Sequence, residues 1–282
     1  MLMLKTQVGL GILSIPSAFD TLGMAPGIIC LLVIAVITTW SGYMVGVFKV
    51  AHPDVYGIDD AGFKMLGRVG REVFAFSYVI NMIFTAGSAM LGLSISFNAM
   101  SAHGTCTAVF VVVSAIIAFM FGSIQTLGRI SWIAWVGVTS ILAAVLTLTI
   151  AVGVQTRPAA APSNIVPWHS DWQATTDASF ADAMSAISTI IFAYAGTPAF
   201  FNLVAEMREP RHFTRSLMIC QIGMTVLYLV VGIVVYYYCG SYVASPALGS
   251  AGVLLKKICY GLAVPSLVVT ETLYTHVCLS LH

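Results

Sequence analysis

Long apolar runs separated by short polar punctuation set the pattern of this chain. Eight of them reach the length a bilayer crossing needs, about 18–25 residues. They fall at about 3–19, 27–48, 72–100, 107–124, 127–154, 183–206, 216–239 and 253–278. Asp20 to Pro26 reads as a short turn. Lys49 to Arg71 reads as a polar segment, with Lys49, Lys64, Arg68 and Arg71 beside Asp54, Asp59 and Asp60. Gln155 to Asp182, rich in Pro, Ser and Thr, reads as the one long loop. Two runs are interrupted: the first by Gly9, Gly11 and Pro16, the sixth by Gly196 and Pro198. Glycine weakens a helix and proline removes a backbone donor, so regular hydrogen bonding fails there. In lipid each freed N–H or C=O costs several kcal/mol unless protein, water or ligand satisfies it. Two broken spans at corresponding places in two halves of a chain mark a binding site.

Composition makes the membrane reading firm. The 282 residues are 59% hydrophobic and 8% charged, with mean hydropathy +0.95, whereas a soluble domain carries roughly 25% charged residues. A net charge of +1 without a basic stripe argues for no nucleic-acid partner. The six cysteines show no metal-ligand spacing. A bridge among Cys106, Cys239 and Cys259, which fall toward one membrane face, is the less expected outcome. The opening run followed by Ser17-Ala18 also resembles a signal peptide, but its glycines and proline, and the many spans after it, favour a membrane helix.

Lysine and arginine asymmetry sets the orientation. With a cytoplasmic N-terminus, the loops carrying Lys49, Lys64, Arg68, Arg71, Arg129, Arg208, Arg211 and Arg215 all face the cytoplasm. Arg157, Lys256 and Lys257 fall outside, where Asp20, Asp171, Asp177 and Asp182 also lie. Trp132 and Trp135 are placed as interface anchors. Breaks in the first and sixth spans predict a five-helix unit repeated with inverted topology within one transmembrane domain. The first repeat covers about 1–154, an outer loop 155–182, and an incomplete second repeat about 183–282.

Two motifs carry a resemblance. Gly9-Leu10-Gly11-Ile12-Leu13-Ser14-Ile15-Pro16 looks like the G-x-G-I-L-x-x-P signature in the first helix of the amino acid/auxin permeases. Glu206-Met207-Arg208-Glu209-Pro210-Arg211-His212-Phe213 is similar to their turn after the sixth helix. The likeness is nearest to fungal neutral amino acid permeases and extends over essentially the whole chain. It implies an all-α polytopic membrane protein with the LeuT-type inverted-repeat fold, and secondary active amino acid transport, commonly coupled to protons. That family has about eleven helices, so the ninth to eleventh are expected to be missing from this chain.

The candidate chemistry follows from the breaks. A half-helix N-terminus offers free N–H groups and partial positive charge to a carboxylate. Carbonyls at the other break suit an ammonium. Gly9, Leu10, Gly11 and Ile12 are therefore expected to hold the substrate carboxylate, and Phe192, Ala193, Tyr194 and Gly196 the ammonium and side chain. The competing reading is that these small residues only let helices pack closely. Tyr78 and Asn81, on one face with Thr85, either line the cavity or hydrogen-bond between helices. Glu271 is the one carboxylate well inside a span, a position functional by default. It is expected to carry a proton, with Thr270 and Ser266 beside it where sodium-coupled relatives place an ion. Glu206, Arg208 and Arg211 read either as a gate at the inner mouth or as a solvated loop.

No HExxH, G-x-S-x-G or Walker pattern supports an enzyme. The expected function is proton-coupled import of a neutral, aromatic included, amino acid by alternating access around the two breaks. The alternative is a non-transporting amino acid sensor or an inactive truncated permease. No cofactor beyond the coupling ion and no obligate protein partner are expected. The expected membrane is the plasma membrane, with the vacuolar membrane as the alternative.

Overall fold

The computed structural model describes residues 2–7, 9, 11–102, 104–122, 127–155, 157–158, 160–161, 169–207 and 212–280. Its regular elements among these residues are helices. The first span divides into α1 (Leu2–Gln7) and α2 (Gly11–Leu22). Then come α3 (Met24–Ala51), α4 (Ile58–Met100), α5 (Thr107–Gly122) and α6 (Leu127–Val154). The sixth span divides into α7 (Phe180–Ala193), a 3₁₀ turn at Thr197–Ala199 and α8 (Phe200–Glu206). α9 (Phe213–Cys239) and α10 (Val253–Ser280) complete the chain.

Six helical segments among the described residues are long and apolar enough to cross a membrane: Met24–Ala51, Ile58–Met100, Ala134–Val154, Phe180–Ala199, Phe213–Tyr242 and Val253–Thr275. The other two expected spans are shorter. α5 has 16 residues, and the first is split into pieces of 6 and 12. The periphery is as apolar as the centre: Val36, Trp40, Phe76, Phe84, Phe119, Ile150 and Ile219 all point outward. Water would not tolerate that surface, and lipid favours it. Trp135, expected at an interface, is exposed in the same way.

The core forms around α2. Ile12, Leu13, Ile15 and Phe19 are buried against residues of α7 and α9, among them Ile190, Ala193, Tyr228, Val231 and Val235. At 12 residues this half-helix is too short to be held by its own hydrogen bonds, and packing holds it in place. The turn expected over Asp20 to Pro26 shrinks to Gly23. Its φ of 90° needs glycine, and a Cβ there would stand 2.7 Å from Thr175 Cα. The long loop crosses at this point and satisfies the first donors of α3. Met24 N donates to Gln173 O at 3.0 Å and Ala25 N to Ala174 O at 2.9 Å. Farther on, Asp171 accepts from Ser241 N (2.9 Å) and from the Ser241 hydroxyl, and Tyr236 accepts from Gln173 N (3.1 Å). Residues 171–175 of the loop are thus tied to the ends of α2, α3 and α9.

Asp20, in the last turn of α2, lies half-buried near Asp171. Burial first, and the Asp171 charge second, push its carboxyl above the ordinary range. A carboxyl more protonated folded than unfolded costs stability as pH rises through that interval. Asp20→Asn should therefore raise the melting temperature near neutral pH and leave it unchanged at pH below the ordinary carboxylate range. A pH-independent gain in calorimetry would assign the effect to packing instead.

The opposite face departs most from expectation. The polar segment Lys49 to Arg71 is helical over much of its length, because α3 runs to Ala51 and α4 begins at Ile58. Gly67 (φ 66°, ψ −149°) bends α4 sharply. Lys49 is buried rather than solvated: Nζ donates to Pro53 O at 2.8 Å and to Val55 O, and stands 4.4 Å from the Tyr56 ring centroid. Lys64 pairs with Asp54 at 2.7 Å and holds that exposed carboxyl below its usual range. Arg71 approaches Asp59 at 3.8 Å. The described cysteines Cys30, Cys106, Cys220, Cys239 and Cys259 are free thiols.

Candidate functional site

The two breaks meet. Gly11, the first residue of α2, abuts Ala193, the last of α7, so closely that a Cβ on Gly11 would lie 2.5 Å from Ala193 Cα. Around this crossing is a cavity of about 40 Å³ lined by residues of α1, α2, α4, α10 and the sixth-span break. Gly9, Gly11, Phe192 and Ala193 are in its wall. Thr85, Ser88, Thr270 and Tyr274 add hydroxyls from α4 and α10. Neutral polar groups line it, so a ligand is met by dipoles and hydroxyls. About 40 Å³ suits roughly three waters, so a large side chain needs the walls to part.

The sixth-span break largely repairs itself. Tyr194 N donates to Ile191 O (3.0 Å), Ala195 N to Phe192 O (3.1 Å), Gly196 N to Tyr194 O (2.8 Å) and Ala199 N to Gly196 O (3.2 Å). Each of those carbonyls keeps one lone pair for a ligand. The carbonyl of Ala193 is met from outside the break, by the Tyr228 hydroxyl of α9 at 2.9 Å. The same hydroxyl reaches Gln7 O, at the end of α1, at 2.8 Å. Tyr228 is fully buried. It thus serves both breaks at once.

Several expected residues sit elsewhere. Ile12 and Tyr194 are fully buried in packing, and neither they nor Gly196 line the cavity. The Tyr194 ring meets Tyr228 edge-on at 5.1 Å, and its hydroxyl lies 3.0 Å from Thr225 Oγ1, because the break turns that side chain toward α9. Of the α4 stripe, Thr85 reaches the cavity while Tyr78 and Asn81 do not. The Thr85 hydroxyl donates to Asn81 O at 2.7 Å, tying those positions along the helix. Leu10, Arg208 and Arg211 lie outside the described residues, and so does the Glu206 side chain, although Glu206 closes α8.

On α10, Thr270 and Tyr274 turn to the cavity, and the Thr270 hydroxyl donates to Ser266 O at 2.9 Å. Ser266 is buried. Glu271 is next to them and wholly inaccessible, at 0% exposure. Neither of its oxygens has a hydrogen-bond partner among the described residues, and Thr275 Oγ1, one turn on, has none either. A buried polar group in that condition is a site under strain or one that takes a partner during function.

Sequence reasoning passed over Gln7, Ser88, Tyr228 and Tyr274. The signal for Tyr228 was present. Gln221 and Tyr228 stand seven apart in a largely apolar helix, on the face that buries Leu217, Met224, Val231 and Val235. A polar face inside a membrane helix points inward.

The structure is thus a helical bundle with membrane-length apolar helices and a polar cavity where two interrupted helices meet. Residues 1–281 match the model of the transmembrane amino acid transporter protein family, and the chain belongs to that family. It is a family of transporters and not of enzymes. Among relatives, the chain is 35% identical over 270 residues to the N amino acid transport system protein of Neurospora crassa, covering 95% of this chain and 57% of that protein. It is 31% identical over 274 residues to a transmembrane transporter of Gibberella moniliformis, covering 97% of this chain and 58% of that protein. The chain thus spans less than three fifths of the length of these relatives.

Proposed function

We propose that the chain forms the substrate-binding part of a secondary active amino acid importer. One observation carries this reading: a neutral polar cavity stands where the ends of two broken helices meet, at Gly11 and Ala193. The start of α2 presents backbone donors to a carboxylate. The carbonyls of Phe192 and Ala193, both residues of the cavity wall, each keep a lone pair as an acceptor for an ammonium. Small neutral amino acids fit the cavity volume best, and aromatic ones require it to widen. Glu271 carries the coupling proton, beside the two α10 residues that line the cavity; sodium near Ser266 and Thr270 is the competing coupling ion.

In this reading the N-terminus is cytoplasmic, the protein lies in the plasma membrane, and Glu206, Arg208 and Arg211 gate the inner mouth. The two breaks belong to inverted repeats of the LeuT type, and alternating access rocks one against the other. The name of the Neurospora relative supports amino acids as cargo. Uptake of labelled L-alanine, L-leucine and L-phenylalanine in permease-deficient cells, at acidic and neutral external pH, tests this. Saturable uptake, stronger in acid, is the expected result. Binding without uptake by an inserted chain would make it a sensor.

A further inference from the structure

A phenol has one hydrogen, and Tyr228 has two carbonyls to give it to, Gln7 O at 2.8 Å and Ala193 O at 2.9 Å. It donates fully to one at a time. Both carbonyls close half-helices, α1 and α7, and bear the negative ends of their dipoles. Among the described residues, whichever lacks the proton is short of a side-chain donor in an apolar interior. The ring cannot swing aside: Tyr194 packs edge-on at 5.1 Å and is itself fixed to Thr225. Only the proton has two places. α9 also meets the side chain of Gln7, with Cys220 Sγ 3.9 Å from Oε1, while Gln7 Nε2 is buried without a partner among the described residues. α9 therefore meets the end of α1 through both a carbonyl and a side chain of Gln7.

We infer that Tyr228 is a positioning residue that links the two breaks through this shared proton. Gln7 and Ala193 both line the cavity. A ligand ammonium that bonds the Ala193 carbonyl frees the phenol to donate wholly to Gln7, and the end of α1 tightens against α9. Occupancy of the cavity is thereby felt at both breaks. The inference rests on the amino acid reading of the cavity.

Hydrogen exchange read by mass spectrometry, on the purified full chain in nanodiscs with and without L-alanine, tests it. Binding of labelled L-alanine is followed in the same samples. In the wild type, L-alanine should slow exchange both in residues 2–7 and in residues 191–197. In Tyr228→Phe, binding and the response at 191–197 should persist while the response at 2–7 is lost. Thr225→Val, which cuts the Tyr194 anchor but keeps both Tyr228 bonds, should retain both responses. A wild-type response at one break alone overturns the inference, and needs no variant to fold. So does a Tyr228→Phe chain that answers at both breaks, or at neither while still binding. If L-alanine does not bind the wild type, the amino acid reading falls and the inference with it.

Discussion

Gly11→Ala should abolish amino acid binding and destabilise the folded chain, whereas Gly9→Ala should leave stability unchanged. The added methyl at position 11 would lie 2.5 Å from Ala193 Cα and 2.9 Å from Ala193 Cβ. Carbon atoms rest at about 3.5–4.0 Å, so the two half-helices must part by about 1 Å. The obstacle is backbone, and no rotamer relieves it. Such overpacking costs about 1–3 kcal/mol. It also draws the Ala193 carbonyl off Tyr228, now at 2.9 Å. At Gly9 the same methyl meets nothing within 4 Å. Thermal melts in detergent and equilibrium dialysis of labelled L-alanine read both variants. A Gly11→Ala chain that melts and binds like the wild type would mean that the helices do not cross there.

The second large effect runs the other way. Glu271→Met should raise the melting temperature and remove proton-driven uptake. Glu271 is at 0% exposure with both oxygens unpartnered among the described residues. An unsatisfied buried polar group costs about 1–3 kcal/mol, and an apolar side chain of similar volume removes that cost. A substitution that stabilises while destroying activity marks a functional residue. Glu271→Gln keeps a polar group and should transport with a flattened dependence on external pH. A fall in melting temperature for Glu271→Met would show that the carboxyl has a partner in the folded chain, and the assignment would be withdrawn.

The breaks were legible because glycine and proline act locally. Gly9, Gly11 and Pro16 interrupt a helix wherever it lies, and so do Gly196 and Pro198. Glu271 was legible for a similar reason, as a carboxylate in an apolar run. The segment from Lys49 to Arg71 misled because charge reads as loop. Lys49 instead buries its ammonium against two carbonyls and a tyrosine ring, an arrangement only the folded turn supplies. The direction of the Tyr194 side chain, toward Tyr228 and Thr225, was not legible, because proximity to a break in sequence does not fix where a side chain points.

By itself the sequence determined that this chain lives in lipid and crosses it as helices. Run length and composition suffice for that, since in lipid each span must satisfy its own backbone. It also determined where two spans fail to do so. Only the tertiary structure decided what meets the failures: Ala193 against Gly11, one Tyr228 proton between two carbonyls, and hydroxyls of α4 and α10 around the cavity. Those partners come from distant parts of the chain, and distance in sequence carries no record of close packing in space.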